Sequence, residues 1–145
     1  MRGNWIGGAF ALFGGAFITL QGVANARISQ DTGTWQAAAL TQWTGFAAAL
    51  LLLLAFRDRG WREFKRVKPP YLFGGALAAV IIYANVSAIE RIGVTLSIAA
   101  VLIAQLAVTF AIDANGWFGV PKRKMRLPQF LGLGLMTVGI ALLSL

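Results

Sequence analysis

The chain has no cysteine and no histidine, and only five acidic residues among 145. Without cysteine there is no disulfide framework and no thiolate metal site. Without histidine the commonest zinc ligand and the commonest catalytic base near neutral pH are both missing. Charge is scarce altogether, at 12% of residues, where soluble domains carry about a quarter. The sequence offers no acid pair within an apolar run, no Ser–His or Cys–His pair and no phosphate-binding loop. No enzyme, metal or cofactor is expected.

Hydrophobic residues make up 58% of the chain. So short a chain has too small an interior to bury that much apolar surface, so lipid is the expected solvent. A transmembrane helix needs about 20 mostly apolar residues. Five stretches qualify: 5–26, 35–56, 71–89, 95–112 and 128–145. Pro69, Pro70 and Pro128 stand where helices would begin, where a missing N–H costs nothing. Trp5, Trp35, Trp43, Trp61, Tyr71 and Trp117 fall at or near span ends, as an interfacial aromatic belt requires. The expected fold class is an all-α integral membrane protein of five transmembrane helices, with residues 1–145 as a single domain.

The net charge of +8 would raise nucleic acid as a partner in a soluble protein. Here it is confined to short connections between spans, which points to topology and anionic lipid. Arg2 precedes the first span. Arg57, Arg59, Arg62, Lys65, Arg66 and Lys68 follow the second, and Lys122, Arg123, Lys124 and Arg126 follow the fourth. With five spans these eleven lie on one side, leaving Arg27 and Arg91 on the other. The positive-inside rule then places the N-terminus in the cytoplasm and the C-terminus outside a bacterial inner membrane. A cleavable signal peptide is the rival reading of the start, from Arg2, the apolar run and Ala24-Asn25-Ala26. The run is long for that purpose and ends on a glutamine.

Polar side chains at membrane depth are costly unless paired, so each is a functional candidate. Gln21 and Asn25 are four apart on the first span, on one helix face. Gln42 with Thr41 and Thr44 lies in the second, Asn85 with Ser87 in the third, and Gln105 with Thr109 in the fourth. Amides both donate and accept, so they suit a neutral polar substrate as well as one another. Gln21, Asn25, Asn85 and Gln105 are the candidate substrate contacts, with interhelical bonding as the plainer alternative. No acid occupies a span centre. Glu90 and Asp113 close the third and fourth spans, where the helix dipole disfavours them. They are candidates for coupling or gating at a cavity mouth, or for ion pairs with Arg91 and the basic 122–126 segment. Small residues recur every four positions, as at Gly3/Gly7, Ala11/Gly15, Gly74/Ala78 and Thr41/Gly45/Ala49, a pattern that lets helix backbones approach closely.

These residues resemble a known family. Gln21, followed by Asn25-Ala26-Arg27-Ile28 after a glycine-rich first span, looks like the signature of the YdcZ-like branch of the drug/metabolite transporter (DMT) superfamily. Gly74-Gly75 opening the third span fits, as do Gln105 and the segment Asp113-Ala114-Asn115-Gly116-Trp117-Phe118-Gly119-Val120-Pro121. The likeness runs essentially the whole length of the chain. It departs at Ala104, where a glycine is usual, and at Asn115, where an aromatic is usual.

The resemblance implies one five-helix DMT-type repeat, the unit that occurs twice, inverted, in ten-helix carriers. Such a chain is half a transporter, with substrate bound near the midplane between inverted repeats. Small multidrug-resistance relatives pair as antiparallel homodimers and bind cations through a first-helix glutamate, which this chain lacks. The charge bias favours one fixed orientation. An antiparallel heterodimer with an oppositely oriented homologue is therefore expected, with a homodimer as the rival. The expected function is an inner-membrane transporter subunit that moves a small polar or amphipathic metabolite by alternating access. A multidrug or organic-cation exporter and a non-transporting assembly subunit are the alternatives.

Overall fold

A computed structural model describes residues 2–56, 67, 69–123 and 126–144, with the side chains of 2–4, 70 and 72 left aside. Trp61, Lys124 and the six basic residues after the second span lie outside the described residues. Every regular element described is helical: α1 (Arg2–Thr32), α2 (Thr34–Ala55), a single turn α3 (Pro69–Leu72), α4 (Gly74–Ile92), α5 (Val94–Asn115), a 3-10 turn (Trp117–Gly119) and α6 (Leu127–Leu143). The all-α membrane class and the five long helices stand as expected. Four have the length and apolarity to cross a bilayer, and α6 is a shorter apolar helix of 17 residues. At 1.5 Å per residue α6 spans about 25 Å, near the lower limit for crossing a hydrocarbon core of about 30 Å.

Every long helix shifts by one to six residues at its ends against the hydropathy reading, and two boundaries have a local cause. The first helix continues six residues past Ala26 to Thr32. Its last turns are polar, and Arg27 bonds to Gln30 at 2.8 Å and pairs with Asp31 at 3.8 Å. Hydropathy marks where lipid ends, whereas the backbone helix runs on. The third span begins at Gly74 rather than Tyr71, because Pro69 opens a separate turn that ends at Leu72. Ala24-Asn25-Ala26 sits inside unbroken helix, with Asn25 and Ala26 buried.

The chain forms two compact units, Met1–Glu90 and Arg91–Leu145. In the first, Gly33 alone separates α1 from α2. Its φ of 101° is a conformation that L side chains rarely adopt, so glycine closes this junction. Gly33 N–H donates to Ser29 O at 2.8 Å, and Ala37 N–H donates to Gly33 O at 3.0 Å, so backbone bonding runs through the turn. Three contacts then place α4. Trp35 stacks on Tyr83 with ring centroids 4.3 Å apart. Seven residues along α2, Gln42 Nε2 donates to Gly75 O at 2.9 Å. Gly22 of α1 faces Asn85 and Ile89. The first two pairings run in opposite chain directions, so α2 is antiparallel to α4. The core of this unit is small: Ala26, Ala37, Ala38, Val86 and Ile89, with Asn25 and Ser29 among them. Small side chains dominate because close backbone approach, rather than expulsion of water, holds helices together in lipid.

In the second unit α6 packs on α5. Gly116 ends α5 in the left-handed conformation at φ 69° and donates its N–H to Ile112 O at 2.8 Å, an αL helix cap. Across the four spans, no more than 11% of the most apolar window is buried. The apolar surface therefore faces outward, the inverse of a soluble protein's arrangement and the one a bilayer accepts.

Candidate functional site

In the first unit one face of α1 carries Gly22, Asn25, Ala26 and Ser29, all buried. Their spacing of three and four residues puts them on one stripe. Two of the polar members are tied to α2. Thr41 Oγ1 donates to Asn25 Oδ1, and Ser29 Oγ lies 3.1 Å from Thr34 Oγ1. Asn25 is 4% exposed, so its amide joins α1 to α2, and any substrate reaching it must share that oxygen with Thr41.

Asn85 is placed differently. It projects from α4 towards α1 at Gly22, where a Cβ would stand 3.6 Å from Asn85 Nδ2 and 3.4 Å from Ile89 Cδ1. A Cβ there would meet the amide at ordinary contact distance, so Gly22 packs against Asn85 without being required by it. Asn85 Oδ1 is enclosed and accepts no hydrogen bond from the described residues. An enclosed acceptor without a donor costs about 1–3 kcal/mol, so this oxygen stands ready for an N–H or O–H group.

Gln21 neighbours the buried stripe but is itself exposed. Gln105 is also exposed, and it stands at the centre of α5, which runs from Val94 to Asn115. Thr109 does not satisfy the Gln105 side chain, because its hydroxyl donates to the Gln105 backbone carbonyl at 2.7 Å. The structure thus brings Asn25 and Asn85 to the packed faces of the first unit and leaves Gln21 and Gln105 on outer faces.

Glu90 is exposed near the end of α4 and Asp113 is half-buried near the end of α5. Neither forms an ion pair among the described residues, where the salt bridge is Arg27–Asp31. The basic segment does return to Asp113, through its backbone: Arg123 N–H donates to Asp113 O at 2.9 Å. Among the described residues no group of acidic side chains could hold a metal ion.

Sequence reasoning did not find the Trp35–Tyr83 stack or the Gln42–Gly75 bond. Both depend on the register between α2 and α4, which no single-helix pattern carries. Of the repeated small residues, Gly7, Gly15, Gly45 and Gly74 are open: a Cβ at any of them would meet nothing within 4 Å, and the same holds for Gly132, Gly134 and Gly139. The repeats are expected to pack helices within the chain or between subunits; at these glycines they make no such contact within the chain, and Gly22 is the helix-interior glycine that does.

A family model described as "Putative inner membrane exporter, YdcZ" matches residues 6–142. No curated protein and no solved structure matches the chain.

Proposed function

The chain belongs to the YdcZ family of inner-membrane transporters, and from that membership we propose that it is one half of an exporting carrier, completed by an oppositely oriented subunit. It is a multi-pass inner-membrane protein of the transporter class. In the proposed carrier a small polar or amphipathic metabolite leaves the cell by alternating access, passing between the two inverted subunits. Gln21, Asn85 and Gln105 contact it, and Asn25 holds α1 and α2 in place beside the path.

The observation that carries this reading is the exposure of Gln105 at the centre of α5. An amide at that depth is costly against hydrocarbon, so it faces another protein surface or a watery cleft. A subunit inverted about the midplane would set its own central residues at the same depth. Asn85 Oδ1 adds an acceptor already enclosed by protein. Glu90 and Asp113 lie at span ends, where coupling or gating groups would meet water.

Cells producing the chain together with an oppositely oriented homologue should change the metabolite content of their medium. Gln105→Leu and Gln21→Ala should abolish that change at normal membrane abundance. An unchanged medium profile in both variants would leave a non-transporting assembly subunit as the function. Selective resistance to organic cations would instead support the multidrug reading, which the absence of a midspan acid disfavours.

A further inference from the structure

The connection from α5 to α6 is held in a defined shape. Beyond the Gly116 cap, Phe118 adopts φ 58° and Gly119 φ 80°. Phe118 is the one non-glycine residue among those described with positive φ. That conformation is disfavoured for a residue with a Cβ, and the Phe118 ring is 74% exposed, beside Trp117 at 54%. The chain then turns back. Val120 N–H donates to Trp117 O at 3.2 Å, and Arg123 N–H donates to Asp113 O at 2.9 Å. The Lys122 stem lies flat on Gly116, so close that a Cβ there would stand 2.6 Å from Lys122 Cγ. Arg126 starts α6, its N–H held by Gln129 Oε1 at 2.8 Å. Lys122, Arg123 and Arg126 are all exposed.

Two exposed aromatics and three exposed cations are thus pinned at the end of a 22-residue apolar helix, which is the depth of the membrane–water interface. We propose that this turn is a binding site for anionic phospholipid. Trp117 and Phe118 enter the acyl boundary, and Lys122, Arg123 and Arg126 engage the headgroup phosphate. The charge is complementary, and arginine's planar fork suits phosphate oxygens. The strained Phe118 backbone supplies a second reason, because it turns an aromatic ring away from the protein at the level where interfacial rings are stabilised.

The test is native mass spectrometry of the purified full chain, with phosphatidylglycerol and phosphatidylcholine offered in equal amounts. The intact chain should retain phosphatidylglycerol selectively. K122Q/R123Q/R126Q should lower that retention roughly a hundredfold, since each basic group near an anionic surface contributes about fivefold. R59Q/R62Q/K65Q removes the same charge from the other basic segment and should lower retention much less. F118G keeps the backbone conformation, so it should fold, and it should still weaken retention severalfold. Equal losses in the two triple variants would reduce the effect to diffuse charge and overturn the proposal. So would equal retention of the two lipids by the intact chain, or unchanged retention by F118G.

Discussion

Asn25 and Gln105 are the same kind of side chain in opposite situations, and their substitution should separate packing from transport. Asn25 is buried and bonded to Thr41. Thr41→Val should therefore lower thermal stability in detergent by about 0.6 kcal/mol, and by no more than about 2 kcal/mol, the range for interhelical bonds in membranes. Gln105→Leu removes an exposed amide and should leave stability unchanged or raised. Gly22 gives a steric counterpart. An alanine there meets Ile89 at 3.4 Å and Asn85 at 3.6 Å, ordinary contact distances that should be tolerated. Gly22→Leu has no such room and should cost about 1–3 kcal/mol by overpacking, read as a lower unfolding temperature. The amides themselves were legible in the sequence as polar residues in apolar runs. Which of them is glue was not, because the Thr41–Asn25 bond depends on how α1 and α2 slide against each other.

At the scale of elements, lengths and order were legible, since about 20 apolar residues in lipid leave the backbone no alternative to helix. The ends were less so. The mostly polar stretch 27–32 continues α1 with little added hydropathy, and Phe73 separates α3 from α4 although both flanks are apolar. The junction between α1 and α2 is set by Gly33 at φ 101°. Gly33→Ala should strain this turn by about 1–3 kcal/mol, although the nearest obstacle, Gln36 Oε1 at 2.6 Å, is the far end of a movable side chain. Thermal unfolding should show the loss, and Gln36→Ala in the same chain should recover only the steric part of it.

For the whole molecule, the charge ledger predicts a direction that the helices alone leave open. Eleven of thirteen basic residues are expected on the cytoplasmic side. Reporters active only outside or only inside the cell, fused after Leu145, should give a signal from outside alone. Signals from both would mean dual topology and would make an antiparallel homodimer the working assembly. A Cβ at the open glycines of α1, α2 and α6 would meet nothing within 4 Å and the spans are mostly exposed, so the proposed assembly was not legible from one chain.

The central claim is that Gln105 borders a watery path rather than lipid. The chain has no cysteine, so one can be introduced without background. Gln105→Cys and Ala107→Cys place thiols on opposite faces of α5, both at exposed positions. A membrane-impermeant maleimide applied to intact membranes should label the first, in the presence of the partner subunit, and not the second. Labelling of neither, or of both alike, would contradict the carrier account and leave Gln105 as a lipid-facing or packing residue.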